Sequence, residues 1–516
     1  MASSKLPDLK SLGGAVEDGG GGKSKAKGWP GFVHFFFVLS VVLCVIFYSP
    51  RLFALTSTYG LDFFVQPPPD TSSRVVGQDD IAAAGGGGGG DVGDVVVLDN
   101  QLHSPCSSLP GDTICCDRSD FNTDVCFMAG DVRLDPASLS LLLFPQQRPA
   151  ANATVEERIR PYTRKWERFI MSRIEEVRLR MARPEEAPDH RCDVRHDAPL
   201  LVMTAGGYTG NLFHAFSDGF VPAWLTVQHL RRRVVLGVLS YNPWWAGTYS
   251  EIISGLSDYH VVDLLHDKRT HCFTGAIVGT RFHGILAVEP TRLRDNKTIV
   301  DFHNLLADVY ENREDSVPQK QQELQQPAVA WRPSLGIVSR RGTRVIENQA
   351  AMLQLARSVG FDVDIHETAN GMPLSAAYAS LSACDVLVGV HGADLTKFLF
   401  LHPGAALVQI APLGVPPIAH GCYAAASARM GLHYEQYDAR GHESSLVRKY
   451  GLKDAVVSDP ERAKRDKGWD FVARVYLGGQ NVTLDLARFS ETLSRMHARA
   501  VRVRSLQRLP QSHVSP

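Results

Sequence analysis

Hydrophobic patterning divides the chain into one long apolar run, one glycine-rich polar stretch and two regions of strand–helix alternation. Gly31–Tyr48 reads GFVHFFFVLSVVLCVIFY, with no Asp, Glu, Lys or Arg. As a helix it reaches about 27 Å, close to the hydrocarbon thickness of a bilayer. Trp29 and Tyr48 stand at its two ends, where amphipathic aromatics favour the membrane interface. Lys5, Lys10, Lys23, Lys25 and Lys27 precede the run, and only Arg51 follows closely, which predicts a cytosolic N-terminus. The long tail, the length of the apolar core and the lack of a small-residue cleavage pattern after Pro50 predict an uncleaved anchor. The expected order is therefore a cytosolic tail over 1–28, a transmembrane signal anchor over 29–49 and a flexible stalk over 50–104. The stalk carries Pro67–Pro69 and six glycines from Gly85 to Gly90, a composition that cannot bury a core.

Beyond the stalk, Pro199–Thr204 (PLLVMT) reads as a buried strand, AGGYTG as a turn, Asn211–Leu230 as a helix and Val234–Leu239 as a further strand. A second series follows, with strands at Ser334–Ser339, Val359–Ile365 and Asp385–Val390 and helices at Ile346–Ser358 and Leu374–Ser382. The polar stretch Glu311–Pro327 separates the two series as a linker. Alternating βα units predict parallel sheets covered by helices. The expected fold is α/β, with two Rossmann-like domains, 105–325 and 326–516, facing a cleft. The helical stretch near Leu484–Arg504 is expected to cross back and brace the first domain.

Composition adds constraints. A net charge of -1 gives no global field that would recruit nucleic acid. Of nine cysteines, Cys44 lies in the apolar run; the other eight lack zinc-ligand spacing. An even set downstream of an anchor suits an oxidising compartment and up to four disulfides. Asn152, Asn296 and Asn481 head Asn-x-Thr sequons, candidate glycosylation sites in a lumenal chain.

Three stretches fall at carboxyl ends of predicted strands, where open α/β sheets bind ligands. In Val388–Thr396 (VGVHGADLT) a strand runs through Gly392 into a helix start suited to a phosphate, with His391 at the strand tip, Ala393 in the turn, Asp394 as a candidate cap and Thr396 inside the helix. In Gly336–Arg344 a strand delivers Arg340, Arg341 and Arg344, whose planar forks match diphosphate oxygens. In GGYTGNLFHAFSD, His214 and Asp218 share a helix face at i, i+4, and either could take a proton from a substrate hydroxyl while the other orients it. Asp362 and Asp364 have an Asp-x-Asp form that can hold a divalent metal, but their alternation with Phe361, Val363 and Ile365 is that of a half-buried strand, so no metal site is assigned. Trp244 and Trp245 suit either sugar stacking or the core.

Taken together in this order, CDRS (116–119) with GDVR (130–133), GGYTGNLFHAFSD (206–218), SRRGTR (339–344), GVHGADLTKFLFLHPGAALVQI (389–410) and QNVTLDLARF (480–489) resemble plant members of glycosyltransferase family 61 over roughly 116–493. The resemblance implies a GT-B fold, a UDP-sugar donor, inversion at the anomeric carbon, a divalent metal that is not essential, no tightly bound cofactor and residence in the Golgi membrane as a single-pass type II protein with a lumenal catalytic domain. It implies transfer of arabinofuranose or xylose to xylan side chains. Transfer of xylose or N-acetylglucosamine to an N-glycan or protein-linked acceptor is the alternative within the family. A non-catalytic lumenal partner in complexes with other Golgi transferases is the alternative outside it. Many plant relatives read His-Gly-Ala-Gly-Leu-Thr-Asn where this chain has Asp394 and Lys397, a departure beside the expected diphosphate site.

Overall fold

The computed structural model describes residues 97–146, 156–311, 331–367 and 373–507. The expected tail, the anchor, most of the stalk, Asn152 and nearly all of the expected linker lie outside the described residues. No helix among the described residues is long and apolar enough to cross a membrane.

Two sheets organise the chain. The first comprises β1 (Thr113–Asp117), β2 (Val125–Asp135), β3 (Ser140–Phe144), β4 (Glu156–Ile159), β5 (Val177–Met181), β6 (Val194–Arg195), β7 (Leu200–Thr204), β8 (Val235–Leu239), β9 (Val262–Asp263) and β10 (His271–Val278). Its main path runs β4-β5-β3-β2-β10-β7-β8-β9. The run β10-β7-β8-β9 is parallel, as are the pairs β3–β5 and β6–β10, whereas β2 runs antiparallel to β1, β3 and β10 and β4 antiparallel to β5. The first sheet is therefore mixed rather than purely parallel. The cause is local: β2 and β3 are joined by the short turn 136–139, which leaves no room for the crossover that a parallel pair needs.

The second sheet comprises β11 (Ser334–Ser339), β12 (Asp362–Glu367), β13 (Val386–Val390), β14 (Ala406–Ala411) and β15 (His433–Asp438), all parallel, in the order β12-β11-β13-β14-β15. From β11 the chain goes to one side for β12 and to the other for β13. That reversal opens a crevice at the carboxyl ends of β11 and β13, where doubly wound sheets bind ligands. Val338 pairs with Gly389, so the residues that follow the two strands, Arg340 and His391, leave the sheet side by side.

Period-two alternation assigns each face. Val386, Val388 and Val390 join one cluster with Leu335 and Ile337, while Leu387 and Leu407 point into another. That second cluster also takes Leu201 and Met203 of β7 and Leu236 and Val238 of β8. The two sheets thus share one core, filled by helices Val221–Val227, Ile299–Glu311 and Pro416–Arg429. Each fully buried aliphatic side chain contributes about 1.5–3 kcal/mol, which fixes the relative placement of the two strand ends.

The last helix, Leu486–Gln507, does not brace the first sheet. Phe489, Leu493, Met496 and Ala500 form its apolar stripe and pack on the outer face of the second sheet, with Met352 and Ala356 of helix Gln349–Val359. Its i, i+4, i+7 spacing matches that groove. Three disulfides form, Cys106–Cys115, Cys116–Cys126 and Cys192–Cys272, while Cys384 and Cys422 are buried free thiols. Among the described residues the cysteines thus make three bridges, one fewer than the expected maximum.

Candidate active site

At the β11/β13 crevice the second sheet gathers positive charge. Arg340 follows β11 directly, and its guanidinium lies 3.6 Å from Asp394. Arg344 has a left-handed backbone (φ 56°) that turns its side chain under the same turn, where Nη1 donates to the His391 carbonyl at 3.0 Å. Its Nε is buried and has no hydrogen-bond partner, and no carboxylate among the described residues pairs with it. Burial, and then the nearby Arg340 charge, pull its pKa down to about 10. Asp394 opposes this shift, but its one carboxylate is shared with Arg340 and Lys397, so the half-buried Arg344 cation is one that a further anion would stabilise.

His391 is buried, and burial together with Arg344 and Arg340 pushes its pKa down to about 3, so the imidazole is neutral. Gln409 Nε2 lies 2.7 Å from His391 Nδ1. With that amide donating, the neutral ring carries its proton on Nε2. Helix Ala393–Phe400 is 3₁₀ and begins at Gly392. Its first turn closes with Leu395 N–H on Gly392 carbonyl at 3.1 Å, so the N–H groups of Ala393 and Asp394 precede the helical ladder and have no partner within it. Asp394 does not cap this helix with its side chain: it stands in the first turn, between Arg340 and Lys397, the latter at 3.9 Å. Burial lowers the Lys397 pKa, opposed by Asp394. The two positions that depart from the plant pattern therefore face each other as an ion pair. Tyr423, from helix Pro416–Arg429, fixes the turn by donating to the Gly392 carbonyl at 2.8 Å, and its hydroxyl is 3.3 Å from Thr396 Oγ1.

The first sheet contributes a second cluster. Asn211 caps a helix start by accepting from Phe213 N–H at 3.0 Å. Residues Ala215–Phe220 then widen into a π-helical turn before helix Val221–Val227. Pro222 explains the widening. A proline here has no N–H for the carbonyl four residues back, that of Asp218, and its ring clashes with it. The freed Asp218 carbonyl accepts instead from Thr163 Oγ1 at 3.3 Å. The wider turn buries the Asp218 carboxylate, whose Oδ2 receives Tyr162 Oη at 3.0 Å, Arg164 Nε at 2.8 Å and His214 Nδ1 at 2.8 Å. Burial works to raise the Asp218 pKa, but the His214 hydrogen bond and the Arg164 charge outweigh it and hold the carboxyl below its ordinary value. Gly207 is required beside this cluster: its φ is +64°, and a Cβ there would lie 2.6 Å from the Tyr162 ring. His214 is partly exposed, and its Nε2 has no hydrogen-bond partner among the described residues. Arg164 Nη2 also lies 3.2 Å from His214 Nδ1, farther than Asp218; with the Nδ1 proton donated to Asp218 the geometry is that of a carboxylate–histidine pair, a buried acid orienting one nitrogen and leaving the other open.

The two clusters meet. The Phe213 ring contacts His214 at 5.2 Å and Tyr423 at 5.7 Å between centroids, and Tyr423 contacts His391 at 6.2 Å. Two aromatic rings thus separate the histidine of the first sheet from the crevice of the second.

Comparison with known proteins bears on this arrangement. The glycosyltransferase 61 family model matches residues 212–408, from the Asp218 helix through the His391 turn. The xylan glycosyltransferase MUCI21 of Arabidopsis thaliana is 38% identical over 413 residues, 79% of this chain and 83% of its own. The chain belongs to glycosyltransferase family 61. The beta-1,2-xylosyltransferase XYXT1 of Oryza sativa subsp. japonica is 34% identical over 401 residues, covering 75% and 84% of the two chains. The alpha-1,3-arabinosyltransferase XAT3 of the same rice is 33% identical over 379 residues, covering 73% and 64%. The protein is a glycosyltransferase.

Within this glycosyltransferase, Arg340, Arg344, His391, Gly392, Ala393, Asp394 and Thr396 converge on the crevice, and His214 and Asp218 form the facing pair. Arg341 does not join them: it is exposed and pairs with Glu367. Asp362 and Asp364 lie on the exposed edge strand β12. Trp245 is core, stacked on Phe220, whereas Trp244 is exposed. Asn296 is exposed, and Asn481 is tied into the fold by accepting from Val345 N–H at 3.1 Å. Sequence patterning does not single out Tyr162, Arg164, Gln409 or Tyr423. Only Pro222, a helix breaker in the predicted Asn211–Leu230 helix, signals that the backbone opens beside Asp218.

Gly392 gives a direct prediction. Its extended backbone suits any residue, but a Cβ would collide with the Arg340 guanidinium. Gly392→Ala is expected to displace that flexible side chain, lowering kcat/KM about tenfold while leaving Tm nearly unchanged. Steady-state kinetics and thermal unfolding of the purified variant check both.

Proposed function

We propose that this glycosyltransferase moves a pentose, arabinofuranose or xylose, from a UDP-sugar to a side-chain position of xylan, with inversion, in the Golgi lumen. The observation that carries the donor side is the half-buried Arg344, with a buried, unsatisfied Nε and no directly paired carboxylate among the described residues, in the β11/β13 crevice beside Arg340 and His391. Arg340, Arg344 and Lys397 outnumber the single carboxylate of Asp394 there; a diphosphate supplies the missing negative charge, and the N–H groups of Ala393 and Asp394 are further donors to it.

On the acceptor side, His214 takes the proton of the attacking hydroxyl through Nε2, while Asp218 holds Nδ1 and stabilises the imidazolium. The acceptor oxygen forms its bond to the anomeric carbon as the bond to the β-phosphate oxygen breaks, and that electron pair leaves with UDP. Arg340, Arg344 and the His391 Nε2–H stabilise the charge that develops there. Attack from the face opposite UDP inverts the carbon. Two sheets around a shared core support a GT-B arrangement, with donor and acceptor brought together between their strand ends. The name of the Arabidopsis relative, a xylan glycosyltransferase, supports xylan as the acceptor, and those of the rice relatives, a xylosyltransferase and an arabinosyltransferase, support a pentose as the group moved. Three disulfides, together with the anchor-like run Gly31–Tyr48, support a lumenal catalytic domain.

The test is a screen of the purified protein with UDP-arabinofuranose, UDP-xylose and UDP-N-acetylglucosamine against xylan and N-glycan acceptors, with linkage analysis of products. Pentose on xylan with inverted configuration is expected. Transfer of N-acetylglucosamine alone, or to the N-glycan alone, contradicts the reading.

A further inference from the structure

Among the described residues, the most exposed large apolar side chain is Phe121, at 70%. It is not on a loose loop. Lys165 holds the loop through its Nζ, which donates to the carbonyls of Arg118 at 2.8 Å and Asp120 at 3.3 Å, and through its backbone N–H, which donates to the Asn122 carbonyl at 2.8 Å. Trp166 Nε1 donates to Asn122 Oδ1 at 3.3 Å. A rigidly held, exposed aromatic costs solvation that the fold does not recover.

Its neighbours point inward to the chemistry. Phe121 stacks on Trp166, with ring centroids 6.4 Å apart and planes 12° apart. The Arg164 guanidinium carbon lies 5.9 Å from the Trp166 ring and 5.3 Å from the Tyr208 ring. Tyr208 in turn lies 5.1 Å from His214. An unbroken column of rings and one guanidinium therefore runs from the surface at Phe121 to the acceptor histidine, and Arg164 belongs to both the column and the Asp218 pair.

We infer that Phe121 and Trp166 form a platform for a sugar ring of a polymeric acceptor, some residues along the chain from the one that reacts at His214. The inference rests on the proposed xylan reading. The face of a pyranose ring presents C–H groups that match the electron-rich face of an aromatic ring. Only an acceptor that extends beyond the reacting sugar spans the column from His214 to Phe121, so a polymer is the occupant. Arg118, whose side chain is 40% exposed, and Asp120 beside the loop supply polar partners for its hydroxyls.

The experiment compares the full-length wild type with Phe121→Ala and Phe121→Trp. Retention on immobilised xylan and kinetics with long xylan and with xylobiose are measured together. For Phe121→Ala, KM for long xylan is expected to rise on the order of five- to tenfold with kcat within twofold, while both constants for xylobiose stay unchanged. Phe121→Trp is expected to restore the wild-type KM. Unchanged KM and retention in Phe121→Ala overturn the platform, as does an equal loss on long and short acceptors, or a wild type that xylan does not retain. Retention lost in Phe121→Ala by an enzyme whose wild type binds xylan but transfers nothing to it supports the platform and defeats the xylan-transferase reading alone.

Discussion

Arg344→Ala is expected to lower kcat by roughly 10²–10³-fold and yet leave Tm unchanged or raise it, a combination that ordinary core residues do not give. The activity loss follows from removing a preorganised donor to the departing diphosphate. The stability result follows from the free state. Arg344 is half-buried beside Arg340, its Nε is unsatisfied, and burial and like charge together act against its protonated form more strongly than the Asp394 charge favours it. Deleting it removes one hydrogen bond to the His391 carbonyl, about 1 kcal/mol, but also a desolvated cation whose cost is at least as large. Arg344→Met, which keeps the bulk without the charge, should behave alike. Calorimetric unfolding and single-turnover transfer check the pair of effects. A variant that loses Tm in proportion to activity would make Arg344 a structural residue.

Asp218→Asn has the opposite signature. Its carboxylate neutralises Arg164 in a buried setting and orients His214, so the amide leaves a buried guanidinium with only Glu167, at 3.2 Å, as an acidic partner. A loss of about 2–3 kcal/mol is expected, together with a fall in kcat of roughly 10²–10⁴-fold as the imidazole loses its fixed tautomer. The double variant Arg164→Met/Asp218→Asn removes the orphaned charge and should recover most of the stability but none of the activity. Unfolding midpoints and kcat for the two variants separate positioning from packing. Recovery of activity with stability would show that Asp218 acts only through the fold.

How far the sequence carries this picture differs between the halves. In the second sheet, strands buried on both faces read as short continuous apolar runs, so Ser334–Ser339 is found as predicted and Val386–Val390 to within a residue. β12 begins three residues later than expected because Val359 ends the preceding helix and Gly360 closes it. What local pattern does not contain is strand order. Arg340 and His391 become neighbours only because β11 and β13 pair in register.

The first sheet is less legible. β5 (VRLRM) alternates charged with apolar residues and β4 (EERI) is charged up to Ile159, so both lack the buried-strand signature of β7 and β8. Asp218 and His214 declare themselves by i, i+4 spacing, but Tyr162 and Arg164 reach them across more than fifty residues, and Tyr423 reaches Gly392 across 31. Those contacts depend on tertiary packing that a local pattern does not encode. The terminal helix illustrates the same limit. Its stripe is legible in sequence, but the groove it fills belongs to the second sheet.

The central claim is a division of labour: the second sheet holds the nucleotide diphosphate and the first activates the acceptor. Calorimetric titration of UDP into wild type, Arg344→Ala and Asp218→Asn tests it most directly. The account predicts that Arg344→Ala binds UDP at least about tenfold more weakly, the loss expected for a charge-assisted hydrogen bond, while Asp218→Asn binds as wild type does. UDP binding that is unchanged in Arg344→Ala, or lost instead in Asp218→Asn, would contradict it.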